Sequence, residues 1–277
     1  MGFVNSILRT VTDVTLLPFK SLPAGVYLTI LSMIGAVFAL LVYKRVSNQD
    51  ALFRVKDQIA AGFFEVRLFN DDLGAMLRAQ GDLLKHNARY MALNLVPFLW
   101  LMVPFVLAMA QVQFHMGYKG FEPGDETVLT VQLAGEADPD ADRPDLVLET
   151  PEGVTVETRG VWAPTANEMA WRLGLQEAGE YELVLRHDGS EVSKSLVVSD
   201  EWAPRRSPGR YDRGFLDQLL FPAEDPIPGE AGIAKIEVPY PTGEVNLLGL
   251  KLQWIFLFLI VSILFAFAIR GRMGVTF

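Results

Sequence analysis

The chain has 277 residues, 51% of them hydrophobic, with a positive mean hydropathy and a formal net charge of −9. It contains no cysteine, which excludes disulfide frameworks, thiolate zinc sites, iron–sulfur clusters and cysteine nucleophiles; its three histidines, His86, His115 and His187, are too scattered to form a His-x-x-x-His metal pair. Residues 113–250 carry 26 acidic against 11 basic side chains and the remainder 7 against 13, so the acidic part repels phosphate and is no nucleic-acid binder.

The hydrophobicity falls in three blocks. Before the first, in residues 1–20, Phe3, Val4, Ile7, Leu8, Val11 and Val14 recur at helical spacing, with Asn5, Ser6, Arg9, Thr12 and Asp13 opposite them. With no uninterrupted apolar core and no small-residue cleavage site before Pro18, this reads as an interfacial amphipathic helix and not as a signal peptide; a short helix packed on a partner is the alternative. Residues 23–43 form an uncharged segment of 21 residues, long enough to cross a bilayer core.

Residues 44–92 read as a coiled-coil hairpin. Leu52, Val55, Ile59, Phe63 and Val66 step by three or four, and Leu73, Leu77, Gln80, Leu84, Asn87 and Met91 repeat the pattern. Asn70 and Asp71 suit the intervening turn, and Asp71 or Asp72 can cap the second arm. Phe63 is expected in the seam, whereas Phe64, Leu68 and Phe69 near the tip are candidates for a contact surface. Residues 93–112 form a second span, with Pro97 and Pro104 expected to kink it or open its backbone.

From 118 to 200 the period changes to two. Short alternating runs at 127–133, 145–149, 154–158, 169–175, 181–186 and 194–198 are separated by Gly, Pro and Asp turns. An antiparallel sandwich inserted between helical spans follows. The run from Ala178 through Leu185, then Asp188-Gly189, then Ser195 to Val198, resembles the closing strands of immunoglobulin-like bacterial domains. Residues 201–251, rich in proline, arginine and acid, read as an extended return segment with a helical piece at 211–220 and a strand at 233–238. Residues 252–269 form the third span and 270–277 a short basic tail. The fold class is therefore membrane α-helical, with three transmembrane helices and a coiled-coil hairpin, carrying an inserted all-β sandwich.

No phosphate-binding glycine loop occurs. Asp138, Asp140 and Asp142 alternate like calcium ligands, but Arg143 stands where a calcium loop needs glycine, so the segment reads as a solvated acidic loop. Ser190 and Ser193 lie near His187 on a hairpin turn with no oriented base. No cofactor is expected, and no enzymatic activity.

Lys44, Arg45, Arg54, Lys56, Arg78, Lys85, Arg89, Arg270 and Arg272 flank the spans on the hairpin side, against Arg9, Lys20, Lys119 and Lys251 on the other. The positive-inside rule then places hairpin and C-terminus in the cytoplasm, with the N-terminus and β domain outside a bacterial inner membrane. An outside N-terminus, a span, a cytoplasmic coiled-coil hairpin, a second span and a third returning inward resembles the YidC/Oxa/Alb insertase superfamily. The closer likeness is to its three-span branch, the archaeal YidC-like proteins and the third subunit of the ER membrane complex. It covers residues 22–112 and 252–277 and rests on this layout; the outer sandwich is an addition to it.

The resemblance implies a membrane-protein insertase or assembly factor in the lipid bilayer, whose hairpin receives client proteins or ribosomes and whose spans offer clients a polar groove. Thr29 and Ser32 of the first span, Asn94 of the second, and Gln253 and Ser262 of the third are the candidates for that groove. For each, bonding to its own backbone or packing between helices is the competing expectation. A non-catalytic scaffold subunit of a larger envelope complex, contacting fellow subunits, is the alternative function.

Overall fold

The computed structural model describes residues 2–69, 71–140, 142–212, 214 and 221–276. It is a mixed helix/β protein whose chain divides into two compact units, residues 1–27 with 107–254, and residues 28–106 with 255–277.

In the first unit the period-two runs become two antiparallel sheets. The larger contains β1 (Glu126–Leu133), β3 (Val154–Val156), β4 (Val161–Ala163), β5 (Glu168–Leu175), β8 (Gly209–Tyr211) and β9 (Ile233–Glu237), in the order β3-β5-β1-β9-β8 with β4 also on β5. The smaller is β2 (Leu146–Glu149), β6 (Gly179–His187) and β7 (Ser190–Val198), in the order β2-β6-β7. β1 alternates strictly enough to place Leu129 opposite Trp171 and Val131 opposite Met169, all buried. One core joins these residues to Leu183, Leu185, Val192 and Leu196 of the smaller sheet. Each fully buried leucine contributes about 1.5–3 kcal/mol. The β6–β7 turn is Asp188-Gly189, both at positive φ (47° and 77°), the geometry a two-residue hairpin needs to match strand twist.

The segment expected to be an extended return supplies more structure than that. β9, at the expected strand, pairs with the free edge of β1, and β8 extends the sheet beyond it. Left open, that edge of β1 would present a row of unpaired backbone groups. Ile233, Ile236, Val238 and Tyr240 join the core, and the Tyr240 hydroxyl accepts a 2.8 Å hydrogen bond from the Val197 amide. Of the helix expected at 211–220, Tyr211 instead ends β8, and residues 213 and 215–220 lie outside the described residues. A last hairpin, β10 (Val245–Leu247) with β11 (Leu250–Leu252), closes the unit.

The N-terminal helix α1 (Gly2–Leu16) forms as its periodicity predicts, followed by a 3-10 turn at Leu17–Phe19. Its polar side turns toward the protein. Arg9 pairs with Asp225, and Asp13 accepts a 2.8 Å bond from Arg205. Ile7, Val11, Val14 and Leu17 are left exposed.

The second unit is helical. α2 (Ala24–Val46), α4 (Leu73–Met116) and α5 (Trp254–Met273) are each long and apolar enough to cross a membrane, with mean hydropathies of 2.3, 2.1 and 2.3 in their best windows. The second hairpin arm and second span form one 44-residue helix, about 66 Å long. Pro97 and Pro104 both lie inside it without ending it. On α2, Leu28, Ser32, Ala36 and Leu40 are buried at intervals of four. Gly35 lets Phe258 approach so closely that a Cβ there would lie 3.3 Å from the ring, and Phe105 meets Phe258 edge-on at 6.1 Å. Small residues at such contacts let apolar helices pack closely.

α3 (Gln49–Leu68) starts at Asn48, whose side chain accepts from the Ala51 amide at 3.0 Å. Asp72 caps α4, accepting from the Gly74 and Ala75 amides at 2.9 and 3.0 Å; Asn70, expected in the turn, lies outside the described residues. The hairpin seam departs from expectation. On α3 it follows Leu52, Val55, Ile59, Gly62 and Val66, so Phe63 points away and is 61% exposed. On α4 it follows Met76, Ala79, Leu83, His86 and Tyr90, one residue back from the expected row. The reason is size: Gly62 and Ala79 admit the facing helix where phenylalanine and leucine would hold it off.

Candidate functional site

Two places in the chain were expected to carry function, the hairpin and a polar groove between spans, and each can be placed residue by residue. Because the seam of the hairpin runs through small residues, its larger apolar side chains face outward. Leu73, Leu77, Leu84 and Met91 of α4 are all more than half exposed, and Gln80 and Asn87 stand exposed between them. These six residues, spaced 4-3-4-3-4, form a second heptad-like row on the helix, left exposed among the described residues. Gly81 beside that row has no atom within 4 Å of where a Cβ would stand. A glycine inside a helix costs about 1 kcal/mol relative to alanine, and among the described residues no close contact uses the space it leaves. At the tip, Phe64 and Leu68 are each 72% exposed and Phe69 is exposed beside them. The hairpin thus presents apolar side chains along one face and at its end, between charged residues such as Arg54, Glu65, Arg67, Arg78 and Lys85.

The polar candidates of the groove are held differently. Ser32 is fully buried, and its hydroxyl donates to the Leu28 carbonyl at 2.7 Å. Ser262 donates to the Ser32 carbonyl at 3.2 Å, which ties α5 to α2. Asn94 donates to the Tyr90 carbonyl at 2.8 Å and accepts from the Tyr43 hydroxyl, which ties α4 to α2. Thr29 is half-buried on α2. Such bonds satisfy polar groups where no water is at hand. Two clefts along these helices are apolar. One of about 580 Å³ is lined by Phe38, Val42, Leu99, Trp100, Val103 and Pro104, and one of about 410 Å³ by Met33, Ile34, Val37, Phe38, Leu41 and Phe265. None of the polar candidates lines either. Gln253 belongs to the first unit, exposed and in a cavity there.

That first-unit cavity, of about 530 Å³, is lined among others by His115, Lys119, Arg206, Asn246, Lys251 and Gln253. Sequence reading gave His115, Arg206 and Asn246 no role, counted Lys119 and Lys251 only for topology, and expected Gln253 in a groove between spans. His115 is buried, with Nδ1 at 2.7 Å from the Ala203 carbonyl. A carbonyl only accepts, so the ring proton sits on Nδ1; Nε2 has no hydrogen-bond partner and lies 3.5 Å from an Asp13 carboxylate oxygen. Arg205 bridges Asp13 and Gln111, at 2.8 Å each. Arg206 is almost wholly buried and bonds to the carbonyls of His115, Ser199, Glu201, Trp202 and Pro204. Burial lowers its pKa from the ordinary arginine value. Gly120 makes room for this hub, since a Cβ there would lie 1.8 Å from the Ser199 carbonyl oxygen.

A second buried charge, Lys194, donates to Glu224 at 2.8 Å, to the Ser207 carbonyl at 2.6 Å and to the Ser195 carbonyl at 3.2 Å. Burial pushes the Glu224 carboxyl up. The Lys194 ammonium and the hydrogen bonds from Lys194 and Ser195 more than offset this and hold it below its ordinary value. The first network ties Arg205 and Arg206 to α4 and α1, and the second ties Ser207 and Glu224 to β7. The only hint of them in the sequence is the Arg205-Arg206 pair, which composition alone does not distinguish from a solvated basic pair. Among the described residues no cluster of three or more His, Cys, Asp or Glu side chains is placed to hold a metal ion.

Compared with known proteins, the chain matches no protein-family model, no curated protein and no solved structure.

Proposed function

We propose that the chain is a membrane-assembly factor of the YidC/Oxa/Alb type, which engages other membrane proteins through its helical hairpin. The observation that carries this reading is the outward row Leu73, Leu77, Leu84 and Met91, together with the tip residues Phe64, Leu68 and Phe69, exposed among the charged side chains of the hairpin. An apolar face on such an element marks a contact site for another helix. The three apolar helices support residence in a membrane, and the Lys and Arg count around them supports a cytoplasmic hairpin and C-terminus with the N-terminus and β domain outside.

In this reading the work is physical. A client helix arriving at the hairpin passes to the lipid-facing cleft lined by Phe38, Val42, Leu99 and Trp100, and any polar group it carries needs local hydration or thinning of the bilayer, since one charge at mid-bilayer costs at least about 2.5–3.5 kcal/mol. Ser32, Ser262, Asn94 and Thr29 are polar side chains of these helices but line neither cleft.

A specific observation favours a second reading. Ser32, Ser262 and Asn94 spend their hydrogen bonds holding α2, α4 and α5 together, as in a scaffold subunit whose hairpin docks one fixed neighbour. Photo-crosslinkers placed at Leu84, Phe64, Ser32 and Asn94 in cells separate the two. A family of newly made membrane proteins trapped from Leu84 and Asn94 is the expected outcome for an assembly factor. One stable partner, trapped from Leu84 only, would replace that reading with the scaffold.

A further inference from the structure

The β10–β11 hairpin ends in an arrangement that folding alone does not explain. Its two-residue turn is Leu248-Gly249, both at positive φ (53° and 87°). Two-residue turns of this geometry favour asparagine or aspartate before the glycine, because a larger side chain is strained in the left-handed region. Leucine stands there instead and is 97% exposed, so among the described residues no contact offsets the strain. Leu250 beyond the turn is exposed as well. The turn is nonetheless well built: Asn246 Oδ1 accepts from the Gly249 amide at 3.0 Å. Its base is anchored too. Val245 is buried, and the Asn246 carbonyl lies so close to Gly25, at the start of α2, that a Cβ there would come within 2.4 Å of it. A rigid hairpin thus holds leucines outward at its tip.

What covers them is indicated by the chain on either side. Gln253 alone separates β11 from α5, one of the three membrane-length apolar helices, and the hairpin base rests on the first turn of α2, another of them. Trp254, the first residue of α5, is buried and donates to Gln113 at 2.7 Å. The tip joins the start of one such helix through residues 251–253 and its base rests on the first turn of another, so where those helices enter a bilayer the tip meets its interface, and Lys251 beside it suits the headgroup layer. We propose that Leu248 and Leu250 insert into the bilayer interface where α2 and α5 enter it, as a wedge that fixes the depth of the first unit against lipid. This rests on the reading that α5 crosses a membrane, and the occupant is lipid, not a protein partner.

The natural absence of cysteine makes the test direct. The full chain carrying Leu248→Cys, and separately Leu264→Cys on the exposed side of α5, is labelled with bimane and reconstituted into phosphatidylcholine vesicles. Quenching is then measured with nitroxide lipids and with aqueous iodide. The expected result is lipid quenching at 248 several-fold stronger from a shallow nitroxide than from a deep one, the opposite order at 264, and little effect of iodide at either. Free iodide quenching at 248, with 264 still quenched by lipid, overturns the wedge and leaves the spanning helix standing. Protection of 248 from both quenchers, with 264 lipid-quenched, assigns the tip to a protein contact and also overturns it. No lipid quenching at either position removes the spanning reading, and the wedge with it.

Discussion

Gly62 of α3 faces Leu83 of α4 so closely that a Cβ on the glycine would stand 3.0 Å from Leu83 Cδ1. This contact sets the hairpin seam and turns Phe63 outward. Replacing Gly62 with leucine should destabilise the hairpin by about 1–3 kcal/mol through overpacking, whereas Phe63→Ala should change stability by less than about 0.5 kcal/mol. Hydrogen exchange along α3 in the solubilised protein reads both. Equal losses would return Phe63 to the seam.

The outward row on α4 has the opposite signature. Leu77→Asp with Leu84→Asp should leave thermal stability within about 0.5 kcal/mol of the parent per substitution, as for exposed positions, yet abolish crosslinking from position 64. A large loss of stability would mean that these leucines pack within the chain after all.

The Lys194–Glu224 pair is buried, with side-chain exposures of 0% and 13%. Removing one member leaves the other charge uncompensated, so Lys194→Met should destabilise the β domain by about 3–5 kcal/mol. The pH dependence follows from Glu224, whose folded pKa is depressed below its ordinary value of 4.5. The unfolded chain therefore binds the proton first as pH falls, so the stability that this carboxylate contributes is fully present above about pH 4.5 and is lost as pH drops toward its folded pKa. Glu224→Gln should flatten that acid limb in denaturant titrations between pH 6 and 3; an unchanged limb would assign it to other carboxylates.

Helix α1 is tethered by its polar face, through Arg9 to Asp225 and Asp13 to Arg205. Partly exposed pairs of this kind contribute about 0–1 kcal/mol each. Arg9→Ala with Arg205→Ala should leave the midpoint of global unfolding nearly unchanged while hydrogen exchange of residues 6–16 accelerates by up to about tenfold in detergent. In vesicles the acceleration should be smaller if Ile7, Val11 and Val14 rest on lipid. Equal acceleration in both media would deny α1 an interfacial role.

Much of this architecture is written in local patterns. Uncharged runs of about 20 residues dictate membrane-length helices, alternation with Gly, Pro and Asp breaks dictates β1, β2, β5, β6 and β7, and the charge and hydropathy period of the N-terminus dictates α1, because each depends only on neighbours along the chain. Asp72 as a cap and Asp188-Gly189 as a hairpin turn were legible for the same reason. The tertiary structure alone decided what depends on distant partners. It moved the hairpin seam from Phe63 to Gly62, because two helices approach where side chains are smallest and not where they are most apolar. It turned residues 209–211 into a strand beside β9 and set the strand expected at 233–238 against β1, because the free edge of β1 needed backbone partners. It gave Ser32, Ser262 and Asn94 to helix packing, because a polar group in an apolar bundle bonds to whatever carbonyl or hydroxyl lies in reach. It also placed Leu248 in a strained, exposed turn, since a leucine beside a glycine shows its left-handed backbone only once the strands around it are paired.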